Sequence, residues 1–293
     1  MPAAGEPAPL VATSRTAVPT VSGTAADTAV PTVSGTVSDS VADKRRAFRE
    51  LHESGSFILP NPWDIGGVRR LEALGFKALA STSSGFAWSL GLEDQEASRD
   101  QVLRHLSELV AASHLPINAD FENGYATDPS GVAENVRLAA ATGVAGVSLE
   151  DFGDGALYDA VAATERVAAA REALDAVDPT IVLVGRAEGF LYGHTDIDET
   201  ISRLVAYSTA GADCLYAPGV TDATHVRAIV AAVAPKAVNV LLYEAGMSAA
   251  ALAELGVRRM SVGGWLARAA WRGFDEAATK LASEGTLPDS LFR

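Results

Sequence analysis

Ile117-Asn118-Ala119-Asp120-Phe121-Glu122-Asn123-Gly124-Tyr125 reads as a short apolar run that ends abruptly in two carboxylates two residues apart, and then a glycine. Short apolar runs of this kind are the mark of parallel strands buried on both faces. In a closed barrel of such strands the chemistry sits at the C-terminal strand ends. The stretch therefore predicts a barrel strand over 117–120 that delivers Asp120 and Glu122 to an open rim.

The same punctuation recurs along the chain. Four helical patterns end in glycine with a strand-like run behind it, at Leu74-Gly75-Phe76, Thr142-Gly143-Val144, Ala210-Gly211-Ala212 and Leu255-Gly256-Val257. Glycine just past a helix end adopts the left-handed conformation without a Cβ clash, so each is read as a helix-to-strand hinge. Strands are expected over 57–59, 78–81, 117–120, 146–150, 181–186, 214–217, 238–242 and 259–262. Between them lie amphipathic helical patterns over 101–112, 131–141, 162–176 and 197–210. About eight strand and helix units in roughly 250 residues point to an α/β fold of the (β/α)8 TIM barrel type. An open doubly wound sheet is the competing architecture, but no Gly-x-Gly-x-x-Gly fingerprint follows an early strand.

Composition bounds the partners. The 293 residues are 48% hydrophobic, enough for one large core. A net charge of -14 argues against a nucleic-acid groove or an anionic membrane surface. Residues 1–40 are rich in Ala, Thr, Val, Ser and Pro and carry an imperfect duplication of 16–24 at 28–36, so they are expected to form a disordered repetitive arm ahead of a barrel domain over 41–293. No secretory pattern and no apolar run of transmembrane length is found. The single cysteine, Cys214, cannot form an internal disulfide, and a cytoplasmic location is expected.

The polar residues expected at the rim are Asn61 and Asp64, Ser81 to Ser84, Asp120 and Glu122, Glu150 and Asp151, Arg186 and Glu188, Tyr216, and Tyr243 with Glu244. Several carboxylates converging with one arginine describe a divalent-metal site for a small anionic ligand. Oxygen-only ligation suits Mg2+, with Mn2+ as a substitute, whereas zinc favours histidine or cysteine. Arg186 also fits a second role, a structural ion pair with Glu188 or Glu150.

Taken together, Pro60-Asn61-Pro62-Trp63-Asp64, Ser83-Ser84-Gly85-Phe86, Gly91-Leu92-Glu93-Asp94, Asp120 to Tyr125, Gly143 to Asp151 and Gly185-Arg186-Ala187-Glu188 carry a family likeness. From about Phe48 to Ala277 the chain resembles the phosphoenolpyruvate mutase and isocitrate lyase superfamily. The resemblance implies a helix-swapped (β/α)8 barrel, a homo-oligomer (dimer or tetramer), and Mg2+ holding a 2-oxo acid or its enolate. It implies that Asp120 is the principal metal-associated carboxylate, with Asp94, Glu122 and Glu150 completing the shell. It further implies that Ser84, Gly85 and Phe86 cradle the substrate carboxylate, that Arg186 meets a second anionic group, and that Tyr216 contributes to substrate recognition. Asp120, Glu150 and Arg186 are then the catalytic candidates.

The chain departs from the characterised branches in the loop after the fourth strand. The family's lyases carry a Lys-Lys-Cys-Gly-His or Lys-Arg-Cys-Gly-His loop there, and its mutase a lysine and asparagine loop. This chain runs Asp151-Phe152-Gly153-Asp154-Gly155-Ala156-Leu157-Tyr158-Asp159, without cysteine, lysine or histidine. Cys214 falls inside a strand and reads as a core residue, and Tyr158 and His194 read as structural. The favoured expectation is a Mg2+-dependent lyase or decarboxylase that cleaves a C–C bond in a small 2-oxo or 2-hydroxy di- or tricarboxylate. A P–C bond enzyme and a catalytically silent binding barrel are the alternatives.

Overall fold

The computed structural model describes residues 40–292; of the expected arm, 1–39 lie outside the described residues. Ten strands are present: β1 (Phe57–Leu59), β2 (Leu79–Ala80), β3 (Ile117–Asp120), β4 (Gly146–Glu150), β5 (Phe152–Gly153), β6 (Ala156–Leu157), β7 (Val182–Arg186), β8 (Cys214–Tyr216), β9 (Ala237–Leu241) and β10 (Arg259–Ser261). The α-helices are α1 (Val41–Leu51), α2 (Ile65–Ala73), α3 (Ser83–Ser89), α4 (Arg99–Ala112), α5 (Pro129–Ala141), α6 (Ala160–Val177), α7 (Ile197–Thr209), α8 (Ala223–Val233), α9 (Ala249–Glu254) and α10 (Trp265–Glu284).

Eight parallel strands follow one another in the order β1-β10-β9-β8-β7-β4-β3-β2. No reversal interrupts that order, which rules out the doubly wound sheet. The two end strands are brought together where the Ala80 N–H donates to the Pro60 carbonyl at 3.1 Å, so the barrel is nearly closed. The four hinge glycines all lie at positive φ, between 82° and 106°. At Gly256 the turn is sealed by Val257 N–H donating to the Leu252 carbonyl at 3.1 Å, the six-to-one bond of a Schellman closure.

Two apolar layers hold the barrel. Helix-facing strand residues such as Ala119, Val147, Leu149, Leu183 and Leu215 pack with the inner faces of α4 to α8. Alternate residues point inward, and Val182, Val184, Cys214 and Ala237 form a smaller cluster there with Phe48. Phe48 comes from α1, which plugs the N-terminal end of the barrel. Arg45 pins that helix by donating to the Val144 and Ala140 carbonyls, and Arg49 by pairing with Asp213. With one end plugged, the cavity opens only at the other.

One element was not expected from the sequence. The β5–β6 pair is a two-residue-by-two-residue antiparallel hairpin just past the end of β4. Helix α10 runs for 20 residues but buries only Ala267, leaving Trp271, Phe274 and Leu281 exposed.

Candidate active site at the C-terminal rim

The strand register sets the site. Glu150 pairs with Arg186 across β4 and β7, Arg186 pairs with Tyr216 across β7 and β8, and Asp120 pairs with Ser148 across β3 and β4. These inward-pointing rim residues line a cavity of about 170 Å3, together with Ser83, Ser84, Asp94, Glu122 and Glu188. That volume is below the roughly 300–1,000 Å3 of pockets for drug-sized ligands and suits a small metabolite.

Arg186 is the hub. Its Nη1 lies 2.7 Å from Asp120 Oδ1 and 2.9 Å from Glu150 Oε1. Its Nε and Nη2 donate to the two oxygens of Glu188 at 2.8 and 3.2 Å. The guanidinium carbon sits 5.1 Å from the centre of the Tyr216 ring. Burial works against the Arg186 charge, yet Glu150, Glu188 and Asp120 hold its pKa well above the ordinary value. The arginine is thus both a cavity residue and the structural ion pair.

Asp120 is fixed from two sides. Its N–H donates to Ser81 Oγ at 2.8 Å, and its Oδ2 accepts from the Ser83 N–H at 3.0 Å. The chain then turns through Glu122 (φ 45°), Gly124 (φ 79°) and Tyr125 (φ 54°). Two non-glycine residues in left-handed geometry cost about 1–3 kcal/mol each, a strain typical of functional turns. The Glu122 Oε1 and the Tyr125 hydroxyl are buried, and neither makes a well-formed hydrogen bond.

The acidic side chains outnumber their cations. Burial raises the pKa of Asp94, with the Asp120 charge adding to it, and burial pushes Glu122 up to about 7. Burial also raises Glu150 well above its ordinary value against the pull of Arg186, and raises Glu188. Among the described residues no three His, Cys, Asp or Glu side chains converge as a direct metal cage. The donor set is nonetheless all oxygen, and the buried Glu122 Oε1 lacks a well-formed hydrogen bond. Such a set fits a hard cation that keeps several of its waters.

The serine turn reaches the cavity in a narrower form than expected. Thr82 caps α3, its Oγ1 accepting from the Gly85 N–H at 3.3 Å and its carbonyl from the Phe86 N–H at 3.1 Å. The Phe86 ring stacks on His105 at 3.9 Å, away from the cavity. Ser83 and Ser84 line the wall, whereas Gly85 and Phe86 do not. Gly85 is required for packing, since a Cβ there would meet Thr82 Cγ2 at 2.7 Å.

Asn61 and Glu188 are also in the wall, whereas Tyr243 and Asp151 are not. Asp151 faces α7 and accepts from the Tyr207 hydroxyl at 2.7 Å and the Glu188 N–H at 2.8 Å. Cys214 is fully buried, and burial pushes its thiol up to about 11. Tyr158 is held by Asn123 at 3.0 Å, consistent with a structural role.

Sequence reasoning missed Gln95, Tyr192 and a polar belt beneath the cavity. In that belt Arg259 donates to Asn239 Oδ1 at 3.0 Å and Asn118 Oδ1 at 3.4 Å, while Asn118 donates to Ser148 Oγ at 2.8 Å. The available signal was the second of two arginines opening an apolar strand.

The chain is thus a (β/α)8 barrel with an acidic, arginine-centred cavity at its C-terminal rim. The phosphoenolpyruvate phosphomutase model matches residues 48–282, and the chain belongs to that family, within the phosphoenolpyruvate mutase and isocitrate lyase superfamily. A candidate lyase/mutase from Burkholderia cenocepacia is 48% identical in sequence, with a TM-score of 0.82 over 84% of this chain and 91% of that one. Oxaloacetate acetylhydrolase with its product oxalate is 25% identical, with a TM-score of 0.77 over 85% of this chain and 90% of that one. An oxaloacetate decarboxylase of Rhodopseudomonas palustris is 28% identical over 201 residues, 65% of this chain and 68% of its own length. Among the described residues no helix is long and apolar enough to cross a membrane.

Proposed function

We propose that the protein is a Mg2+-assisted carbon–carbon lyase that cleaves a small 2-oxo or 2-hydroxy di- or tricarboxylate through an enolate, oxaloacetate being the simplest substrate. The observation that carries this reading is the cavity itself: five carboxylates, Asp94, Asp120, Glu122, Glu150 and Glu188, face two arginines, Arg186 and Arg259. An anionic substrate is repelled by such a wall unless a cation joins it. The similar proteins that act on oxaloacetate support the same chemistry.

In this reading Asp120 holds the cation, with Asp94, Glu122 and Glu150 around it, mostly through water. Mg2+, when bound, supplies a Lewis acid for the substrate's keto oxygen. Ser83 and Ser84 present the turn that receives the carboxylate. Arg186 faces the distal anionic group as a fixed cation, its Nε–Nη2 edge being held by Glu188. In a 2-oxo acid, cleavage leaves the bond electrons on the keto oxygen as an enolate and releases carbon dioxide or a carbonyl fragment; in a 2-hydroxy acid, the hydroxyl gives up its proton and becomes the new carbonyl, and the bond electrons go to the carboxyl group on the departing carbon. The enolate carbon then takes up a proton.

The exposed apolar face of α10 supports assembly into a helix-swapped dimer or tetramer. The hairpin in place of the lyase and mutase loops speaks against isocitrate-type cleavage and against P–C rearrangement. The test is incubation with oxaloacetate, alkylmalates, methylisocitrate and phosphonopyruvate, with Mg2+ or a chelator, read by carbon-13 and phosphorus NMR. Mg2+-dependent cleavage of an oxo acid or malate is expected. Turnover of phosphonopyruvate alone, or oxalate binding that ignores the chelator, would overturn the reading.

A further inference from the structure

A second cavity, about 420 Å3 and larger than the first, lies behind the Asp120–Tyr125 turn, and Gln95, Glu122 and Glu150 line both. Its roof is the β5–β6 hairpin, Phe152 to Gly155, and its back is the segment from Asn123 to Thr127. These two walls are tied to each other. The Asn123 amide donates to the Tyr158 hydroxyl at 3.0 Å, and the Tyr158 ring carries the Arg166 guanidinium at 4.1 Å. Arg166 in turn donates to the Thr127 carbonyl at 2.8 Å and to the Asn123 carbonyl. The chamber is therefore built into the fold and is not a gap between independent loops.

Its chemistry differs from that of the first. No lysine, arginine or histidine lines it, while Glu122, Glu150 and Asp154 supply carboxylates and Ala97, Ala126 and Phe152 supply apolar surface. A carboxylate placed there would meet like charge and no cation. An uncharged group would meet alkyl carbon and amide dipoles. The divide between the chambers includes the Glu122 side chain, which faces the Tyr125 hydroxyl on the annex side.

We propose that the second cavity is an annex to the reaction chamber that takes an uncharged substituent on the substrate's β-carbon. The carboxylates stay with the Ser83–Ser84 turn and Arg186, and an alkyl or hydroxyalkyl tail enters the annex. The preferred substrate is then a β-substituted 2-oxo or 2-hydroxy dicarboxylate rather than a tricarboxylate. This rests on the reading of the first chamber as a 2-oxo acid site.

N-alkyl oxamates test it, because oxamate is a planar 2-oxo acid isostere whose nitrogen stands where the β-carbon would. With Mg2+ present, calorimetry is expected to show affinity rising about threefold to fourfold per methylene from N-methyl to N-butyl oxamate. N-(3-carboxypropyl) oxamate, of equal reach but charged, should bind at least about tenfold more weakly than the butyl compound, given like charge in a partly buried site. Ala126→Leu, which fills the annex, should erase the difference between butyl and methyl. Binding of oxamate without any gain along the alkyl series, or preference for the charged tail, overturns the annex alone. Failure of oxamate itself to bind overturns the reading of the first chamber, and the annex falls with it.

Discussion

The Phe152 ring lies flat on the Tyr192 ring, with centroids 3.5 Å apart and planes within 4°. The Tyr192 hydroxyl also accepts from Gln95 Nε2 at 3.2 Å. Three segments, the loop after α3, the hairpin after β4 and the turn after β7, are thereby joined beside the cavity. The contribution of the hairpin here is an aromatic contact.

Tyr192→Phe keeps the stack and loses only the bond to Gln95, so kcat/KM on the best substrate should stay within about threefold, as expected for one exposed neutral hydrogen bond. Tyr192→Ala loses stacking worth about 0.5–1.5 kcal/mol beyond its buried area, and kcat/KM should fall about tenfold or more. Steady-state kinetics on the two variants separates the ring from its hydroxyl.

Asp120→Asn keeps the shape of the rim but removes the carboxylate nearest to Arg186 Nη1. Oxalate titrated calorimetrically in the presence of Mg2+ should lose at least about 100-fold in affinity if that oxygen is the principal anchor of the cation, since charge-assisted contacts in buried sites are worth about 3 kcal/mol or more. Unchanged, Mg2+-dependent binding would remove Asp120 from the shell.

Arg186→Met leaves Glu150 and Glu188 buried without their shared cation. Breaking a buried ion pair from one side typically costs about 3–5 kcal/mol, so urea unfolding at neutral pH should show a loss of that order. The loss should shrink at lower pH, where the stranded carboxyls take up protons in the fold. A variant as stable as the wild type at pH 7 would mean the cluster is solvated.

His52 is buried between Phe48 and Phe57, and burial lowers its pKa to about 3, with Arg259 acting in the same direction. The unfolded chain binds the proton below about 6.5, the folded chain only near 3. Its contribution to stability is therefore complete above pH 6.5 and declines as pH falls towards 3, by at most about 1.4 kcal/mol per unit. The raised rim carboxyls titrate with the opposite sign, so the informative quantity is the wild type minus His52→Leu. That difference in unfolding free energy should shift against the wild type by up to about 2 kcal/mol between pH 6.5 and 5. A pH-independent difference would place the imidazole in contact with water.

Trp271 and Phe274 meet edge to face at 5.7 Å on the outer surface of α10, 39% and 61% exposed. If a second copy covers this face, the double variant Trp271→Glu with Phe274→Glu should sediment as a monomer while the wild type does not.

The barrel was legible because its signals are local. The four glycines needed left-handed φ whatever surrounded them, and three of the expected strands, 57–59, 117–120 and 146–150, have the observed bounds. The rim was legible for the same reason, since Asp120, Glu150 and Arg186 each end an apolar run. What escaped depends on contacts distant in the chain. Nothing local says that Asn118, Asn239 and Arg259 face one another inside the barrel, or that Phe86 turns its ring to His105. The β5–β6 hairpin is too short for periodicity to reveal, and Tyr192 has meaning only once Phe152 lies against it.

Arg259 is hydrogen-bonded to two amide oxygens and to no carboxylate. Guanidinium groups do not lose their proton in proteins. The barrel floor therefore keeps one fixed positive charge at every working pH, while the acidic rim above it changes charge. A small anion brought past that rim by a cation would meet at the floor a charge that neither acid nor base can switch off.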